Sequence, residues 1–392
     1  MSAHRSAPDL SPSEQAAASP SSTSTRESRN QDGERFFAIC PRGLEALAAD
    51  EMRALGATAV ATEPGGVSFG GAATLAYAGN LHSRIASRVL WQVGAAAYAS
   101  EDDVYAAVRA VAWERFFDAR STLRVDVTAT RSPLRSLEFA TLRIKDGVVD
   151  RLRDRTGSRP SIDRARPDVR VFVHLEADAL TLYLDTSGEP LFKRGWRADK
   201  GEAPLKENLA AGLLQLAGWT PAQPLLDPFC GSGTIVIEAT TMAAGRAPGL
   251  QRRFGFERLF GFDAKAWQQL REEAQARVAE RGAARIVGSD ISTRVVEQAR
   301  HNAHLAGLEA WLADGRLQFQ ATDARSVAPP AARGLIITNP PYGEQSAPKS
   351  ASVSRLMNDF AANLKQHFGD WTAWLLSADR DLPRQMRLQE TR

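Results

Sequence analysis

The chain has 392 residues, 43% of them hydrophobic, so its length and composition predict two or three packed globular domains. It contains no apolar run of membrane-spanning length and no signal-peptide core, which predicts a soluble protein. The two cysteines, Cys40 and Cys230, argue against a disulfide framework or a cysteine-based zinc site and favour the reducing cytoplasm. A formal net charge of +3 is too small to indicate a nucleic acid partner by itself.

The first 33 residues are rich in Ser, Ala, Pro and charged residues and contain almost no large apolar side chains. Such a segment buries too little apolar surface to offset the conformational entropy lost on ordering. We therefore expect residues 1–33 to form a disordered N-terminal extension, with order beginning near Arg35.

Residues 34–98 alternate between short apolar runs and helical patterns. Apolar residues recur near helical spacing between Leu44 and Leu55, and Gly56 marks the end of that helix. The predicted elements are a strand at 36–39, a helix at 43–55, a strand at 67–69, a helix from 72 to about 80 and a strand within 84–93. We interpret the series as the order strand–helix–strand–strand–helix–strand, with one strand left without bounds, which indicates a small α+β unit.

Residues 99–197 predict a second mixed unit. The sequence LRVDV at 123–127 alternates between apolar and charged residues, as a half-buried strand does. The other predicted elements are helices at 104–111 and 142–153, strands at 169–175 and 179–184, and a turn at 185–188.

Basic residues exceed acidic ones between Arg115 and Arg170. A local basic excess can follow the phosphates of a nucleic acid. Alternating charges, such as those between Asp150 and Asp154, are also typical of a solvated face. The charge pattern alone leaves both interpretations open.

Residues 198–392 alternate regularly between predicted strands and helices, which indicates a parallel, doubly wound sheet with right-handed crossovers. The first predicted strand ends at 225–226. The other predicted strands lie at 259–262, 285–288, 317–320, 335–338 and 372–376. The predicted helices lie at 205–216, 234–242, 266–281, 292–306 and 352–368.

The loop DPFCGSGT at 227–234 follows a buried strand and precedes a predicted helix. Gly231 and Gly233 let the backbone approach a ligand at the carboxyl end of the sheet. The loop has neither the three-glycine fingerprint of dinucleotide enzymes nor the Gly-Lys-Ser/Thr ending of a P-loop. It indicates either a site for another nucleoside cofactor or a tight strand-to-helix turn.

Two later strands end in carboxylates. Asp290 follows one strand, where a carboxylate can accept both hydroxyls of a ribose, and Asp323 follows the next, where it can accept from an adenine amine. Either residue alone could be a helix cap. Their order on successive strands after the glycine loop favours a nucleoside site.

The sequence NPPY at 339–342 follows the apolar strand LIIT. The prolines fix backbone dihedral angles and remove donors, so the carbonyl of Pro340 and the side-chain oxygen of Asn339 can face one point. Two acceptors there would hold an exocyclic amine, and Tyr342 could stack on a base that has left its helix. With the glycine loop, this motif predicts an S-adenosylmethionine-dependent methyltransferase that acts on a nucleobase by positioning and electrostatics, without a metal.

These motifs resemble those of the class I amino-methyltransferases of nucleic acids. A closer resemblance is to the bacterial THUMP-containing 23S rRNA guanine-N2 methyltransferases. It covers about residue 34 to the C-terminus and rests on the segments CPRGLE at 40–45, LDTSGEPLFKRGWR at 184–197, APLKENLA at 203–210 and NPPYGE at 339–344.

The resemblance implies an α/β Rossmann-like class I methyltransferase domain at 198–392, preceded by a ferredoxin-like unit at 34–98 and a THUMP RNA-binding domain at 99–197. It implies that S-adenosyl-L-methionine is held by Asp227, Phe229, Gly231, Gly233, Asp290 and Asp323, with Lys206 and Asn208 near the pocket. It implies that Asn339, Pro340 and Tyr342 handle a guanine amine of 23S rRNA. RNA contacts are expected from Arg143, Lys145, Arg151, Lys193, Arg194 and Arg197.

The chain departs from the family pattern in two ways. Some members carry a second methyltransferase domain, and members usually continue into a terminal β-hairpin that completes the sheet. If Arg392 ends the protein, the missing hairpin leaves a sheet edge open.

Three other functions are compatible with the motifs. They are guanine-N2 methylation of tRNA, adenine-N6 methylation of DNA, since Asn-Pro-Pro-Tyr serves both amines, and RNA binding without catalysis. The THUMP-like segment argues against DNA, and the intact Asp227 and Asn339 argue against an inactive protein.

Overall fold

A computed structural model describes residues 33–197, 205–278, 284–341, 350–377, 379 and 381–388. The predicted disordered extension therefore lies, apart from Gly33, outside the described residues. Within them, no helix is both long and apolar enough to cross a membrane.

The first unit has the predicted strand–helix–strand–strand–helix–strand order. Its elements are β1 (Glu34–Ile39), α1 (Glu45–Ala54), β2 (Thr58–Glu63), β3 (Gly66–Gly71), α2 (Leu75–His82) and β4 (Arg88–Ala97). The strands pair antiparallel in the order β2-β3-β1-β4. This arrangement confirms the predicted α+β unit. Strand β2 lacked a clear sequence signal because it is a largely exposed edge strand.

The second unit extends the same sheet. Its elements are α3 (Glu101–Ala110), β5 (Leu123–Ala129), α4 (Leu137–Thr156), β6 (Val169–Leu175) and β7 (Ala179–Asp185). Strand β4 pairs with β7, so one seven-stranded sheet of order β2-β3-β1-β4-β7-β6-β5 runs through both units. In β6 every second residue is buried, because alternate side chains of a strand point to the covered face.

The third unit is the predicted doubly wound sheet. Its elements are α5 (Glu207–Leu216), β8 (Leu225–Asp227), α6 (Thr234–Ala243), α7 (Ala264–Ala276), β9 (Ile286–Asp290), α8 (Thr293–Leu305), α9 (Glu309–Ala313), β10 (Leu317–Ala321), β11 (Gly334–Thr338), α10 (Ser350–His367), β12 (Trp371–Leu375) and α11 (Leu382–Gln385). All neighbouring strands are parallel, in the order β10-β9-β8-β11-β12. The strand order therefore reverses between β8 and β11, which is where open α/β sheets bind ligands.

The apolar run at 259–262, predicted as a strand, is instead a turn after a short 3-10 helix (Gly255–Arg258). Its apolar residues pack between units: Leu259 joins the core of the second unit, and Phe262 contacts Tyr77 of α2 edge to face. The backbone N–H of Phe260 donates to the carbonyl of Phe116 at 2.7 Å. Tertiary packing, rather than sheet pairing, accounts for this apolar segment.

A buried ion cluster joins the first and third units. The Glu238 carboxylate on α6 accepts from Arg84 and from Arg194, each at 3.1 Å. Arg194 also donates to the carbonyls of Leu191 and Arg84 and is only 4% exposed. The prediction that Arg194 contacts RNA is therefore wrong, because its guanidinium is committed to the protein interior.

We expect Glu238→Gln to lower the free energy of unfolding by about 3–5 kcal/mol, because removing one charge of a buried network leaves its partners uncompensated. Asp50→Asn is the matched control, because its ion pair with Arg53 is solvent-exposed and should contribute less than about 1 kcal/mol. Urea denaturation of both variants measures the difference. Equal small losses would contradict a stabilising role for the cluster.

Candidate cofactor and catalytic site

The predicted site groups meet at one edge of the parallel sheet. Asp227 ends β8 opposite Gly288, and Asp290 ends β9 opposite Ala321, the last residue of β10. On the other side of β8, Thr338 ends β11 and leads directly into Asn339. The carboxyl ends of four neighbouring strands thus bring the glycine loop, both acidic segments and the Asn-Pro-Pro segment together at the switch point.

The glycine loop has the backbone geometry that its sequence predicted. Gly231 and Gly233 have φ angles of +53° and +89°, which side-chain-bearing residues rarely adopt. A Cβ on Gly231 would have no atom within 4 Å, whereas one on Gly233 would lie 3.1 Å from both Ile237 and Phe319. The loop therefore exposes its backbone to open space at Gly231 and packs tightly at Gly233, where α6 begins.

The Asp290 carboxylate is oriented by the backbone on both sides. It accepts from the N–H of Gly231 at 3.2 Å and from the N–H of Ser292 at 2.9 Å. Each oxygen uses one acceptor position in this way and retains another, as two ribose hydroxyls would require. Ile291, which follows directly, is 71% exposed although it is a large apolar residue. An isoleucine at this position is not a recognisable sequence motif, so the sequence did not predict Ile291 as a site residue. Only its exposure beside Asp290 indicates a role in ligand binding.

The Asp227 carboxylate is buried between β8 and β11. It accepts from the hydroxyl of Thr338 at 2.6 Å and from the N–H of Phe229 at 3.2 Å. Burial raises the pKa of Asp227 from 3.8 to about 7; the two hydrogen bonds oppose this shift, and the charge of Asp290 adds to it. Thr338 was not predicted as a site residue, and its position before Asn339 was the only available signal.

Asp323 lies in the loop after β10, but it is already engaged. The Arg325 guanidinium donates to both carboxylate oxygens, and this pairing lowers the pKa of Asp323. The carboxylate therefore stays ionised. A donor group of a ligand would therefore share the Asp323 carboxylate with Arg325.

The Asn-Pro-Pro segment begins as predicted, directly after the buried strand β11. Asn339 is half-buried and Pro340 is buried, and the backbone before them is anchored by the N–H of Leu376, which donates to the carbonyl of Thr338 at 3.0 Å. Tyr342 lies outside the described residues.

The segment after β7 reaches the glycine loop through Arg197. Its guanidinium donates to the hydroxyls of Ser232 and Thr234 at 2.7 and 2.9 Å and pairs with Glu207 at 3.0 Å. Arg197 was predicted to contact RNA, but these contacts direct it toward the cofactor loop. The pairing depends on tertiary structure, so the sequence offered no signal for it.

The two α5 residues predicted near the cofactor make other contacts. Asn208 is fully buried and donates from Nδ2 to the carbonyl of Ile85 at 3.2 Å and to the hydroxyl of Ser87 at 3.1 Å. The ammonium of the exposed Lys206 lies 5.1 Å from the centre of the Phe192 ring. The described contacts of Asn208 thus join α5 to the first unit rather than to the loop.

The remaining cations predicted to contact RNA each have an acidic partner. Lys145 pairs with Asp146 at 3.0 Å and Arg151 with Glu114 at 2.6 Å. Arg143 pairs with Asp102, and Lys193 pairs with Glu189. The structure does not bring these four residues together as a group of unpaired charges.

The residues at the sheet edge fit a nucleoside cofactor that bears a positive charge. Gly231 leaves open space for a close backbone approach, and Asp290 retains acceptor positions for hydroxyls. Asp227 lies at the same edge, and a nearby positive charge would hold its buried carboxyl in the ionised form. This set of donors and acceptors suits a sulfonium nucleoside better than a phosphate-bearing one, because phosphates require cationic or N–H-rich loops.

Three family models match the chain. The model described as "RMKL-like, methyltransferase domain" matches residues 194–392, about half of the chain. The model of the THUMP domain matches residues 98–185, and that of the RlmL ferredoxin-like domain matches residues 35–90. The predicted fold class, with ferredoxin-like, THUMP and Rossmann-like units, is thereby confirmed.

Curated relatives match most of the length of this chain. Ribosomal RNA large subunit methyltransferase K/L from Syntrophotalea carbinolica is 42% identical over 366 residues, which is 91% of this chain and 50% of that protein. The chain thus spans about half the length of the curated relatives it matches.

Two solved structures share the architecture. SMU.472, in its complex with SAH, is 28% identical with a TM-score of 0.81, over 92% of this chain and 94% of that one. A protein described as a predicted N6-adenine-specific DNA methylase from Listeria monocytogenes is 29% identical with a TM-score of 0.81, over 92% of both chains.

The buried Asp227 predicts a pH-dependent stability of the cofactor-free protein. A carboxyl with a raised folded-state pKa contributes stability that is lost as pH rises toward about 7. We expect the thermal stability of Asp227→Asn relative to wild type to increase between pH 5 and pH 8, by the equivalent of about 2 kcal/mol. A difference that stays constant across this range would show that Asp227 titrates normally.

Proposed function

Because this chain belongs to the RMKL-like methyltransferase family, we propose that it transfers a methyl group from S-adenosyl-L-methionine to the exocyclic N2 amine of a guanine in 23S rRNA. The main support is the Asn339-Pro340 segment, which adjoins the glycine loop at the switch point. The name of the relative from Syntrophotalea carbinolica supports ribosomal RNA as the substrate.

The cofactor supplies an electrophilic methyl group on a positively charged sulfur. Asp290 would accept the ribose hydroxyls, for which the N–H groups of Gly231 and Ser292 already orient its carboxylate. Ile291 would pack its exposed side chain against the adenine face. Asp227, Phe229, Gly231 and Gly233 would line the loop, and Asp323 would accept from the adenine amine while it remains paired with Arg325.

Asn339 and Pro340 would act on the base. The Asn339 side-chain oxygen and the Pro340 carbonyl would accept the two hydrogens of the amine, holding its lone pair toward the methyl group. Tyr342 would stack on the flipped base. Asn339 and Pro340 would hold the amine nitrogen in line with the methyl group that the cofactor would supply, and the proton that the methylated amine sheds would pass to water.

Thr338 would position the segment for this step. Its hydroxyl bonds Asp227 on β8, while its backbone continues into Asn339 on β11. This hydrogen bond fixes the cofactor loop and the amine acceptors relative to each other across the switch point.

Adenine-N6 methylation of DNA is the second candidate, because the similar protein from Listeria monocytogenes carries that description. The match to the THUMP model favours RNA.

We also propose the division into units at 34–98, 99–197 and 198–392, and a cytoplasmic location, which the two unpaired buried cysteines support.

The test is transfer of a radiolabelled methyl group to unmodified 23S rRNA, tRNA and duplex DNA, followed by nucleoside analysis. We expect N2-methylguanosine from 23S rRNA. Label in tRNA, or as N6-methyladenine in DNA, would replace the proposal with one of the other activities. Cofactor binding without transfer to any substrate would favour a non-catalytic role.

Asn339→Ala should reduce kcat by about 100-fold or more, because it removes one acceptor of the amine. Cofactor affinity, measured by calorimetry, should change little. Asn358→Ala, on the exposed face of α10, is the matched control and should retain wild-type turnover. Unchanged turnover in Asn339→Ala would contradict the mechanism.

Ile291→Ala should weaken cofactor binding about tenfold, because the apolar area that it would bury against adenine is lost. Leu305→Ala, at the end of α8, is the matched control for an exposed aliphatic residue. Calorimetry with S-adenosylmethionine measures both. Equal affinities of the two variants would remove Ile291 from the site.

A further inference from the structure

An exposed apolar surface lies at the start of α4. Leu137, Phe139 and Leu142 are 42%, 51% and 45% exposed. Phe139 and Leu142 are three residues apart and therefore neighbours on the helix surface. The buried face of α4, which includes Ala140 and Ile144, points away from them. Two adjacent exposed large apolar side chains, Phe139 and Leu142, indicate a contact site more strongly than isolated ones do.

Two exposed arginines lie in the loop that leads into this end of α4. Arg131 and Arg135 are exposed, and neither has a carboxylate within ion-pair distance in the described part of the chain. In the same unit, Arg109, Arg124 and Arg151 each pair with an acidic residue. Residues 130–145 contain four basic residues and one acidic residue.

The loop that carries both arginines is held in place. Thr130 donates to the Leu175 carbonyl at 2.8 Å, and the Tyr98 hydroxyl donates to Ser132 at 2.8 Å. Ser136 caps α4 by accepting from the N–H of Phe139 at 3.2 Å. Arg131 has a φ angle of +57°, which costs free energy in a residue other than glycine and persists only where neighbours impose it. The surface is therefore preorganised.

We propose that Arg131, Arg135, Phe139 and Leu142 form a docking surface for an unpaired stretch of RNA. An exposed aromatic ring can stack on an unstacked base, and exposed guanidinium groups without carboxylate partners in the loop before α4 can contact the phosphates of the same strand. A base-paired RNA would not offer a free base face to Phe139. The inference rests on the proposed RNA substrate. It makes this surface, rather than the ion-paired cations Arg143, Lys145 and Arg151, the main RNA contact of the second unit.

The test measures binding of a fluorescein-labelled single-stranded RNA of mixed sequence to the full chain by anisotropy, beside a duplex RNA of equal length. Phe139→Ala should weaken single-strand binding roughly tenfold or more, with little effect on the duplex. Arg135→Ala should lower the slope of log affinity against log salt by about 0.7. Melting temperature and cofactor affinity should stay at wild-type values, since both side chains are exposed.

Two matched controls separate this surface from general effects. Phe260→Ala removes another aromatic ring of similar exposure, and Arg120→Ala removes an exposed but ion-paired arginine of the same unit. Both should bind the single strand as wild type does. Wild-type affinity in Phe139→Ala, or an equal loss in Phe260→Ala, would overturn the proposal.

The remaining outcomes are also decisive. If Phe139→Ala abolishes self-association in sedimentation but leaves single-strand binding unchanged, the surface binds a second copy of the chain and the proposal is wrong. If wild type methylates RNA and Phe139→Ala binds it equally well, the proposed function stands and the docking surface fails. If no RNA is methylated but Phe139→Ala still weakens single-strand binding, the docking surface stands and the proposed function fails.

Discussion

The reversal of strand order between β8 and β11 is the constraint on which the candidate site depends. Parallel strands bring their carboxyl ends to one edge, and the chain leaves β8 and β11 in opposite directions, which opens a crevice there. The hydrogen bond from Thr338 to Asp227 crosses this crevice at 2.6 Å. The buried carboxylate is costly to ionise without a cation, so the same feature that destabilises the empty site favours a positively charged cofactor.

Helix α6 joins the segment that follows β7 to the glycine loop. Arg197 bonds Thr234, the first residue of α6, and Arg194 pairs with Glu238 one turn further along. Both arginines belong to the short segment that follows β7. Moving α6 and the glycine loop relative to that segment would break the buried Arg194–Glu238 pair and the two hydroxyl hydrogen bonds of Arg197, which is costly. A substrate held by the second unit would thus meet a cofactor loop of fixed position.

The sequence could predict those parts of the site that depend on local chain geometry. The glycines at 231 and 233, the carboxylate at 290 and the prolines after β11 follow strands whose apolar character is visible in the sequence. Residues whose role depends on distant partners could not be predicted in this way. Arg194 resembles any surface arginine until Glu238, 44 residues later, is placed beside it. The edge strand β2 and the turn at 259–262 were obscured for a related reason, since exposure and packing between units override the local pattern.

The arginines of the second unit show why charge counts are a weak guide to nucleic acid surfaces. The Arg151 guanidinium lies 2.6 Å from the Glu114 carboxylate. The carboxylate cancels much of the positive charge of Arg151 and accepts its N–H groups. A phosphate would have to displace this carboxylate, so much of its binding free energy would be lost to the broken pair. Arg131 and Arg135 have no such competitor in the described structure, and they precede an exposed ring, Phe139, in the chain. Under the proposed function, the cations most available to RNA would be those for which the fold provides no acidic partner, and the number of arginines in the sequence does not identify them.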